Sequence, residues 1–399
     1  MDDLNVCVLE ENLLLGLTKI NKINLKNNAF KSILPSTFEH LDSLKTLDIS
    51  YNELETLNDS SLFRDLAKLT DFDLSFNFIS FLHDQLFANL TSLYWLGLTG
   101  NRLVSLNSFL FKGLSNMESL FLGENLISSL DKYTFNGLYK LKFLFLNSNE
   151  LKTLHEPSLF SDLTSLVELD LSFNQIRSLA DRIFQPLVNL ETLRLDSNQL
   201  DSSSSSSSSL YFKGLFELKY LSLSNNRLTN LDAELFRDLN KLERLDLAYN
   251  HLSSLNDANL FANLNNLGSL FLSSNNLSHL SDKLLNKLDQ LFLLDLSDNQ
   301  LESLVFLQMN LNELKYLYLS NNKLTQLAAS AFAQIRNLIL LSLDGNGLKV
   351  IDSSVFSGLK NLNSVDLRSN PISDSKPNFV LGLCQGGQSE NSNCTVKLY

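Results

Sequence analysis

The sequence predicts an α/β solenoid, in which one short strand and one crossover segment repeat along almost the whole chain. Three observations predict this fold: a pattern L-x-x-L-x-L-x-x-N-x-L that occurs fifteen times, a spacing of 23 to 28 residues between its copies, and a phenylalanine that recurs late in most of them. A fixed period of this length is typical of solenoids, because each unit can bury its apolar face only against its neighbours. The asparagines that mark the copies are Asn28, Asn52, Asn77, Asn101, Asn125, Asn149, Asn174, Asn198, Asn226, Asn250, Asn275, Asn299, Asn322, Asn346 and Asn370.

The first half of each copy predicts a β-strand. In the second copy, the apolar residues Leu47 and Ile49 alternate with polar residues such as Asp48. A period of two residues is the pattern of a strand with one buried face. Parallel strands need a crossover between them. We therefore expect a superhelix with a concave parallel sheet of about fifteen strands.

The second half of each copy predicts the crossover, which forms a convex face of loops and short helical turns. A phenylalanine recurs at one position of this segment. We expect the rings of neighbouring copies to stack there and form a spine on the far side of the core. The phenylalanines at this position are Phe38, Phe63, Phe87, Phe111, Phe135, Phe160, Phe184, Phe212, Phe236, Phe261, Phe332 and Phe356.

The asparagine of each copy predicts a ladder of side-chain hydrogen bonds. It lies where the chain leaves the strand and turns, although Asn is a poor strand residue. Its amide offers two donors and an acceptor to backbone groups that have lost their strand partners. A role as an ordinary turn residue would explain one copy but not fifteen in register. We therefore expect a structural column without functional members, whose last rung, Asn370, has fewer neighbours to satisfy.

These motifs resemble the leucine-rich repeat family over residues 18–375, with partial caps expected at 1–17 and 376–399. The 24-residue spacing and the late phenylalanine are similar to the typical subclass, found in Toll-like receptors, Slit-like guidance proteins and small leucine-rich proteoglycans. The resemblance implies the ligand-binding ectodomain of a receptor or matrix-type protein, extracellular or at the cell surface as part of a longer chain. The alternative is an intracellular scaffold or adaptor in signalling, which the lack of a signal peptide at the amino terminus favours.

The net charge of the chain limits the kinds of partner to be expected. The net charge of −12 disfavours nucleic acid, because phosphate binding needs a clustered positive surface. No apolar run approaches the ~20 residues of a transmembrane helix.

Three cysteines occur, Cys7, Cys384 and Cys394. Cys384 and Cys394 are candidates for a disulfide, with two free thiols as the alternative. The resemblance implies multi-cysteine caps at both ends, and this chain departs from that pattern.

Residues suited to catalysis or metal binding form no recognisable motif in the sequence. The five histidines lie in different copies without metal-ligand spacing. A Gly-rich phosphate loop, a nucleophile elbow and a cysteine–histidine pair are all missing. Aspartates and serines recur once per copy, which places them in columns along a sheet and not in one pocket. The sequence therefore predicts a non-enzymatic protein that uses neither a cofactor nor a metal.

A run of eight serines at 202–209 interrupts the repeat and makes its copy four residues longer than most. The run has no apolar side chain to anchor it, so we expect a mobile loop. The favoured interpretation is an insertion that the fold tolerates. A phosphorylation or O-glycosylation tract and a hinge between the two halves are the functional alternatives.

The residues two, four and six places before each marker asparagine are expected to face away from the core. Most are polar, as a solvated sheet surface should be. An aromatic group from three consecutive copies, with Gly97 and Gly123 beside it, is the exception: Trp95, Phe121, Phe143 and Phe145. Adjacent strands lie ~4.8 Å apart, so these rings are predicted to form one patch, and such patches mark interaction sites. Alternatively, the rings cover each other in a Phe-rich protein.

Acidic residues flank this aromatic group and define the expected partner. Asp48, Asp71 and Asp73 precede it, and Glu168 and Asp170 follow it. Over all outward positions ten acids oppose five bases, so the concave face is acidic by five charges. This pattern predicts a protein ligand that presents basic residues around an apolar centre. The other acids are Asp196, Asp246, Asp295, Asp344 and Asp366, and the bases are Lys22, Lys26, Arg194, Arg244 and Arg368.

A second candidate patch lies further along the same predicted face. Its members are Phe271, Leu293, Tyr316 and Tyr318, interleaved with Asp295. The alternative interpretation is scattered tolerance of aromatic residues, and it has equal support from the pattern.

Overall fold

The computed structural model describes residues 8–9, 14–202, 210–307, 311–372 and 395–398. The chain divides into two compact units, Met1–Gln199 and Leu200–Tyr399. Each unit repeats one coil, in which a three-residue strand leads through a turn at the marker asparagine into a crossover of turns. Within the described residues, no helix has the length and apolar character needed to cross a membrane.

The described residues of unit 1 form fourteen strands. They are β1 Val8–Leu9, β2 Lys22–Asn24, β3 Ser32–Ile33, β4 Thr46–Asp48, β5 Thr56–Leu57, β6 Asp71–Asp73, β7 Phe81–Leu82, β8 Trp95–Gly97, β9 Ser119–Phe121, β10 Phe143–Phe145, β11 Thr153–Leu154, β12 Glu168–Asp170, β13 Ser178–Leu179 and β14 Thr192–Arg194. The strands β2, β4, β6, β8, β9, β10, β12 and β14 follow one another in this order in a parallel sheet. The two-residue strands pair separately as β1–β3, β5–β7 and β11–β13.

Unit 2 repeats this arrangement. Its strands are β15 Tyr220–Ser222, β16 Arg244–Asp246, β17 Ser254–Leu255, β18 Ser269–Phe271, β19 His279–Leu280, β20 Leu293–Asp295, β21 Tyr316–Tyr318, β22 Leu340–Ser342, β23 Ser364–Asp366 and β24 Thr395–Lys397, with 3-10 turns at Val305–Leu307 and Ser353–Phe356. The parallel sheet runs β15, β16, β18, β20, β21, β22, β23, β24, and β17 pairs with β19. Fifteen sheet strands of the two units belong to the marked copies, as predicted, and the sixteenth is β24 from the carboxyl-terminal flank.

The core is built as the repeat predicts. Leu47 and Ile49 have no exposed surface, and every phenylalanine of the predicted spine is buried. Ring centroids of successive copies lie 6.2 Å apart for Phe135 and Phe160 and 6.0 Å apart for Phe160 and Phe184, with nearly parallel planes. The prediction of a phenylalanine spine inside each unit is therefore confirmed.

The asparagine ladder is also confirmed, and its geometry is visible at Asn174. The Nδ2 atom donates to the Leu171 and Ser172 carbonyls of its own turn, both at 3.1 Å. The same nitrogen reaches the Leu146 carbonyl of the preceding coil at 2.9 Å, and Oδ1 accepts from the Leu151 amide of that coil at 3.1 Å. Each rung thus closes its own turn and ties it to the coil before it.

Because each rung bonds to the coil before it, the expectation that Asn370 has fewer neighbours to satisfy is wrong. The last rung makes the same four contacts, because its inter-coil partners are Leu343 O at 2.9 Å and the Leu348 amide at 3.0 Å in the preceding coil. Its own turn supplies the carbonyls of Leu367 and Arg368. Asn370 therefore has no fewer partners than an inner rung, although three of its bonds are part-buried and one is exposed.

The outward position four residues before the asparagine has a structural role that its polarity did not indicate. Asp48 Oδ1 accepts from the backbone amide of Ser50 at 3.0 Å and from its hydroxyl at 2.6 Å. Ser50 is buried. The expectation that the position two residues before the asparagine is solvated is therefore wrong for Ser50. The same carboxylate-to-amide bond recurs at Asp73, Asp170 and Asp295. These acids hold the turn in addition to charging the surface.

Two aspartates at this outward position, Asp73 and Asp366, have pKa values shifted in opposite directions. Burial raises the pKa of the Asp73 carboxyl, although hydrogen bonds from Ser75 oppose the effect. Hydrogen bonds from the Arg368 side chain lower the pKa of Asp366. Ionisation is therefore less favourable for Asp73 than for an ordinary aspartate, and more favourable for Asp366.

The serine run is described only at its first residue, since 203–209 lie outside the described residues. Ser202 Oγ donates to the Asn230 carbonyl at 2.6 Å and accepts from the amides of Thr229 and Asn230 at 3.0 and 3.1 Å. The expectation of an unanchored run is therefore wrong for Ser202, because a hydroxyl can anchor a loop through backbone groups.

Removing an inner rung should cost the most. Asn174→Ala leaves buried backbone groups of two coils without partners, which should lower the free energy of unfolding by about 1–3 kcal/mol. Asn370→Ala should cost less, because water can reach its part-buried partners. Urea or thermal melts of the two variants measure the difference, and equal losses would contradict the ladder account.

The raised pKa of Asp73 makes a prediction about pH. The folded state holds the Asp73 proton more tightly than the unfolded state, so stability should fall as pH rises from about 3.8 through the raised pKa. Asp73→Asn should therefore be more stable than the parent at pH 7, and the gain should vanish below about pH 3.8. The nearby charges of Asp48 and Lys26 stay in place in both proteins. Asp295→Asn is the matched control in urea melts, and a gain independent of pH would contradict the assignment.

Candidate interaction surface

The predicted aromatic patch lies on three neighbouring strands of unit 1. The registers place Trp95, Ser119 and Phe143 in one column and Gly97, Phe121 and Phe145 in the next. All four rings are half-buried and point away from the leucine core. The sequence placed these side chains correctly because the alternation along each strand fixes which face a residue occupies.

Three of the four rings form a continuous stack. The ring centroids of Trp95 and Phe121 lie 5.2 Å apart at an angle of 40°, and those of Phe121 and Phe145 lie 4.9 Å apart at 7°. Phe143 lies in the Trp95 column, separated from Trp95 by Ser119, and borders this stack. We call Trp95, Phe121 and Phe145 the ring stack. Mutual stacking covers part of each ring, and all three side chains stay partly exposed.

Two glycines shape the surface beside the ring stack. A Cβ atom on Gly97 would lie 2.6 Å from Asp73 Oδ1 and 2.6 Å from Trp95 Cη2. A Cβ atom on Gly123 would lie 2.6 Å from Asn147 Oδ1. Real Cβ atoms do not approach so closely, so a side chain at either position would displace these groups.

The acids on the two sides of the ring stack differ in their partners. Before it, the register places Asp73 between Asp48 and Gly97, while Asp71 accepts a hydrogen bond from the Thr70 hydroxyl at 2.6 Å. After it, Arg194 Nε lies 3.5 Å from Glu168 Oε1 and 4.0 Å from Asp170 Oδ2. One side therefore combines three carboxylates, whereas a guanidinium compensates the other.

The second candidate patch is divided. Leu293 and Tyr316 are register neighbours, but Asp295 separates Phe271 from Tyr318. Arg244 covers Phe271, with its guanidinium carbon 4.2 Å from the ring centroid. Burial raises the pKa of the Tyr318 hydroxyl. The structure does not assemble these four side chains into one ring cluster.

An aromatic pair that the sequence interpretation missed lies where the strands end. Tyr51 and Phe76 stack with centroids 4.5 Å apart, and they are 45% and 38% exposed. Lys26 Nζ lies 4.8 Å above the Tyr51 ring, and a Cβ atom on Gly100 would lie 2.5 Å from the Phe76 ring. Both residues directly precede a marker asparagine, with φ of 56°. Aromatic residues at this position were the available signal.

Metal and disulfide sites receive no support from this geometry. Among the described residues, no group of three or more His, Cys, Asp or Glu side chains could hold a metal ion. Cys7, Cys384 and Cys394 lie outside the described residues, so the candidate disulfide remains a prediction.

One curated relative with similar sequence is Tsukushi from Xenopus tropicalis, which is 44% identical over 62 residues. The match covers 16% of this chain and 17% of Tsukushi. The chain thus matches about a sixth of that relative.

Two solved structures resemble nearly the whole chain. The TLR13–ssRNA13 complex matches 99% of this chain and 56% of TLR13, with a TM-score of 0.84 and 28% identity. A leucine-rich repeat protein of Leptospira interrogans matches 98% of this chain and 93% of its own length, with a TM-score of 0.78 and 27% identity.

The leucine-rich repeat model matches more than half of the chain. The matched segments are 18–62, 59–103, 91–151, 152–200, 208–252 and 308–348. The repeats, the parallel sheet and the asparagine ladder agree with that match. The chain belongs to the leucine-rich repeat family.

Proposed function

We propose that this chain is a non-enzymatic, protein-binding module and that its partner docks on the sheet face of unit 1, over the ring stack. The observation that carries the proposal is the contiguity of Trp95, Phe121 and Phe145 on a face whose other residues are mostly polar. Large aromatic side chains dominate binding energy when they are clustered and then covered by a partner.

The acidic surroundings support a partner with basic residues around an apolar centre. Asp48, Asp71 and Asp73 lie on the two strands that precede the ring stack. Their charge would attract such a partner over distance and would repel phosphate groups. TLR13 was solved with single-stranded RNA. We nevertheless propose a protein partner here, because the net charge is −12 and these three carboxylates adjoin the rings.

We also propose that the module serves as the ligand-binding part of a receptor or matrix-type protein outside the cell. The 24-residue repeat with its phenylalanine spine supports this setting, since that subclass occurs in such ectodomains. Labelling of intact cells with a membrane-impermeant reagent tests it. Labelled chain is the expected result, and protection until lysis would favour the scaffold alternative.

Truncating the ring stack should weaken partner binding. Trp95→Ala or Phe145→Ala should cost about 2 kcal/mol or more, mainly through faster dissociation, because the lost contacts form only after docking. Binding kinetics against a partner identified by affinity capture measure the effect. Tyr249→Ala is the matched control, since Tyr249 is 63% exposed and lies in unit 2. Normal binding by both ring variants would contradict the proposal.

Removing one flanking charge should act on a different rate. Asp73→Asn should slow association and flatten its dependence on salt, because the carboxylate acts before contact. Asp295→Asn, at the same position of a coil in unit 2, should leave the association rate close to the parent value. Unchanged salt dependence in Asp73→Asn would exclude a steering role for this acid.

A further inference from the structure

The bare backbone at Gly97 brings a ring, a carboxylate and a hydroxyl to one point of the outward sheet face, where Trp95 and Asp73 are half-buried and Ser75 is buried. A Cβ atom there would lie 2.6 Å from Trp95 Cη2, 2.6 Å from Asp73 Oδ1 and 2.8 Å from Ser75 Oγ. The three groups come from two adjacent strands and the turn after one of them. The three groups can approach one another because Gly97 has no side chain.

The carboxylate at this point lacks the ion pair that Glu168, Asp170 and Asp366 have. Asp170 and Glu168 lie beside Arg194, and Asp366 forms a 2.6 Å salt bridge with Arg368. Asp73 has Asp48 and Gly97 as its register neighbours, and the charge of Asp48 raises its pKa more than the charge of Lys26 lowers it. Asp73 Oδ1 accepts a hydrogen bond from the Ser75 amide at 2.9 Å.

Other surface rings of this chain already hold a cation. Lys26 Nζ lies 4.8 Å from the Tyr51 centroid, and the Arg102 guanidinium carbon lies 4.3 Å from that of Phe78. The Trp95 ring contacts Phe121, and its Cη2 atom and Asp73 Oδ1 both lie 2.6 Å from the position that a Cβ atom on Gly97 would take. Indole is the strongest aromatic acceptor of cations, and the adjacent carboxylate adds a hydrogen-bond acceptor.

We propose that Trp95, Asp73 and Ser75 form a subsite for the guanidinium group of an arginine side chain from the protein partner. Arginine fits because its planar group can stack on the indole while its N–H groups donate to the carboxylate. The subsite rests on the proposed function, since it gives one residue of the basic partner a defined place beside the ring stack.

The chain itself provides the probe for this subsite. Trp95 is the single tryptophan among 399 residues, so tryptophan emission reports on this site alone. N-acetyl-arginine amide is titrated into the full chain at constant ionic strength, with N-acetyl-citrulline amide as the neutral isostere. The expected result is a saturable change of emission with arginine, half-complete on the order of 10–100 mM, and a response to citrulline at least about fivefold weaker.

Variants assign the response to the proposed groups. Asp73→Asn should raise the half-saturating arginine concentration at least about fivefold, because a neutral amide cannot pair with the cation. Asp295→Asn, which removes an equivalent carboxylate in unit 2, should leave the titration unchanged. Circular dichroism and the emission of the unliganded variants check that both are folded.

The two hypotheses fail in different ways. Equal responses to arginine and citrulline, or an unchanged titration in Asp73→Asn, overturn the arginine subsite. If Trp95→Ala still weakens partner binding in that case, the proposed function stands. A saturable arginine response together with normal partner binding by Trp95→Ala would instead retain the subsite and reject the docking surface.

Discussion

The hydrogen bonds of the asparagine column are the constraint on which the rest of the structure depends. Three residues after the strand ends, a residue such as Tyr51 or Asn225 has positive φ, and the next residue is the asparagine. That reversal removes backbone groups from the sheet, and the amide of the asparagine pairs with them. Because one set of its bonds reaches the preceding coil, the same side chain closes a turn and sets the offset between coils.

A constant offset between coils converts sequence positions into columns. The leucines before each asparagine align and are buried, and the phenylalanines of the crossover stack about 6 Å apart in both units. On the outward side, the same alignment brings Phe121 and Phe145 into contact although 24 residues separate them. A ring stack on such a sheet thus needs no dedicated pocket, since neighbouring copies supply its members in register.

The aspartates of the outward sheet face have two roles, one in the fold and one in the surface charge. Aspartates at one outward position accept backbone hydrogen bonds from the turn, as Asp48 and Asp170 do, so part of the acidity serves the fold. What differs between sites is the neighbour: Arg194 compensates Glu168, whereas Asp73 faces another acid and a glycine. The proposed site therefore differs from the rest of this face by its combination of an acid, a ring and a missing side chain.

Periodicity predicted what depends on backbone repetition and missed what depends on side-chain direction. Alternation around Leu47 identified the strands, and the spacing identified both the phenylalanine spine and the ring stack. The strand Thr395–Lys397 was missed because the flank carries no repeat. The Tyr51–Phe76 pair was missed because a residue with positive φ leaves the alternation of the strand. The Arg194 contacts were missed since a long side chain can turn toward either neighbouring strand.

The most direct test of the central claim, that a protein partner covers the ring stack, is the accessibility of Trp95 in the complex. Acrylamide quenching of tryptophan emission is measured with the partner absent and at saturation, using a partner that has no tryptophan or whose tryptophans have all been replaced. The account predicts a shift of the emission to shorter wavelength and a several-fold smaller quenching constant in the complex. Full binding with unchanged emission and quenching would contradict it.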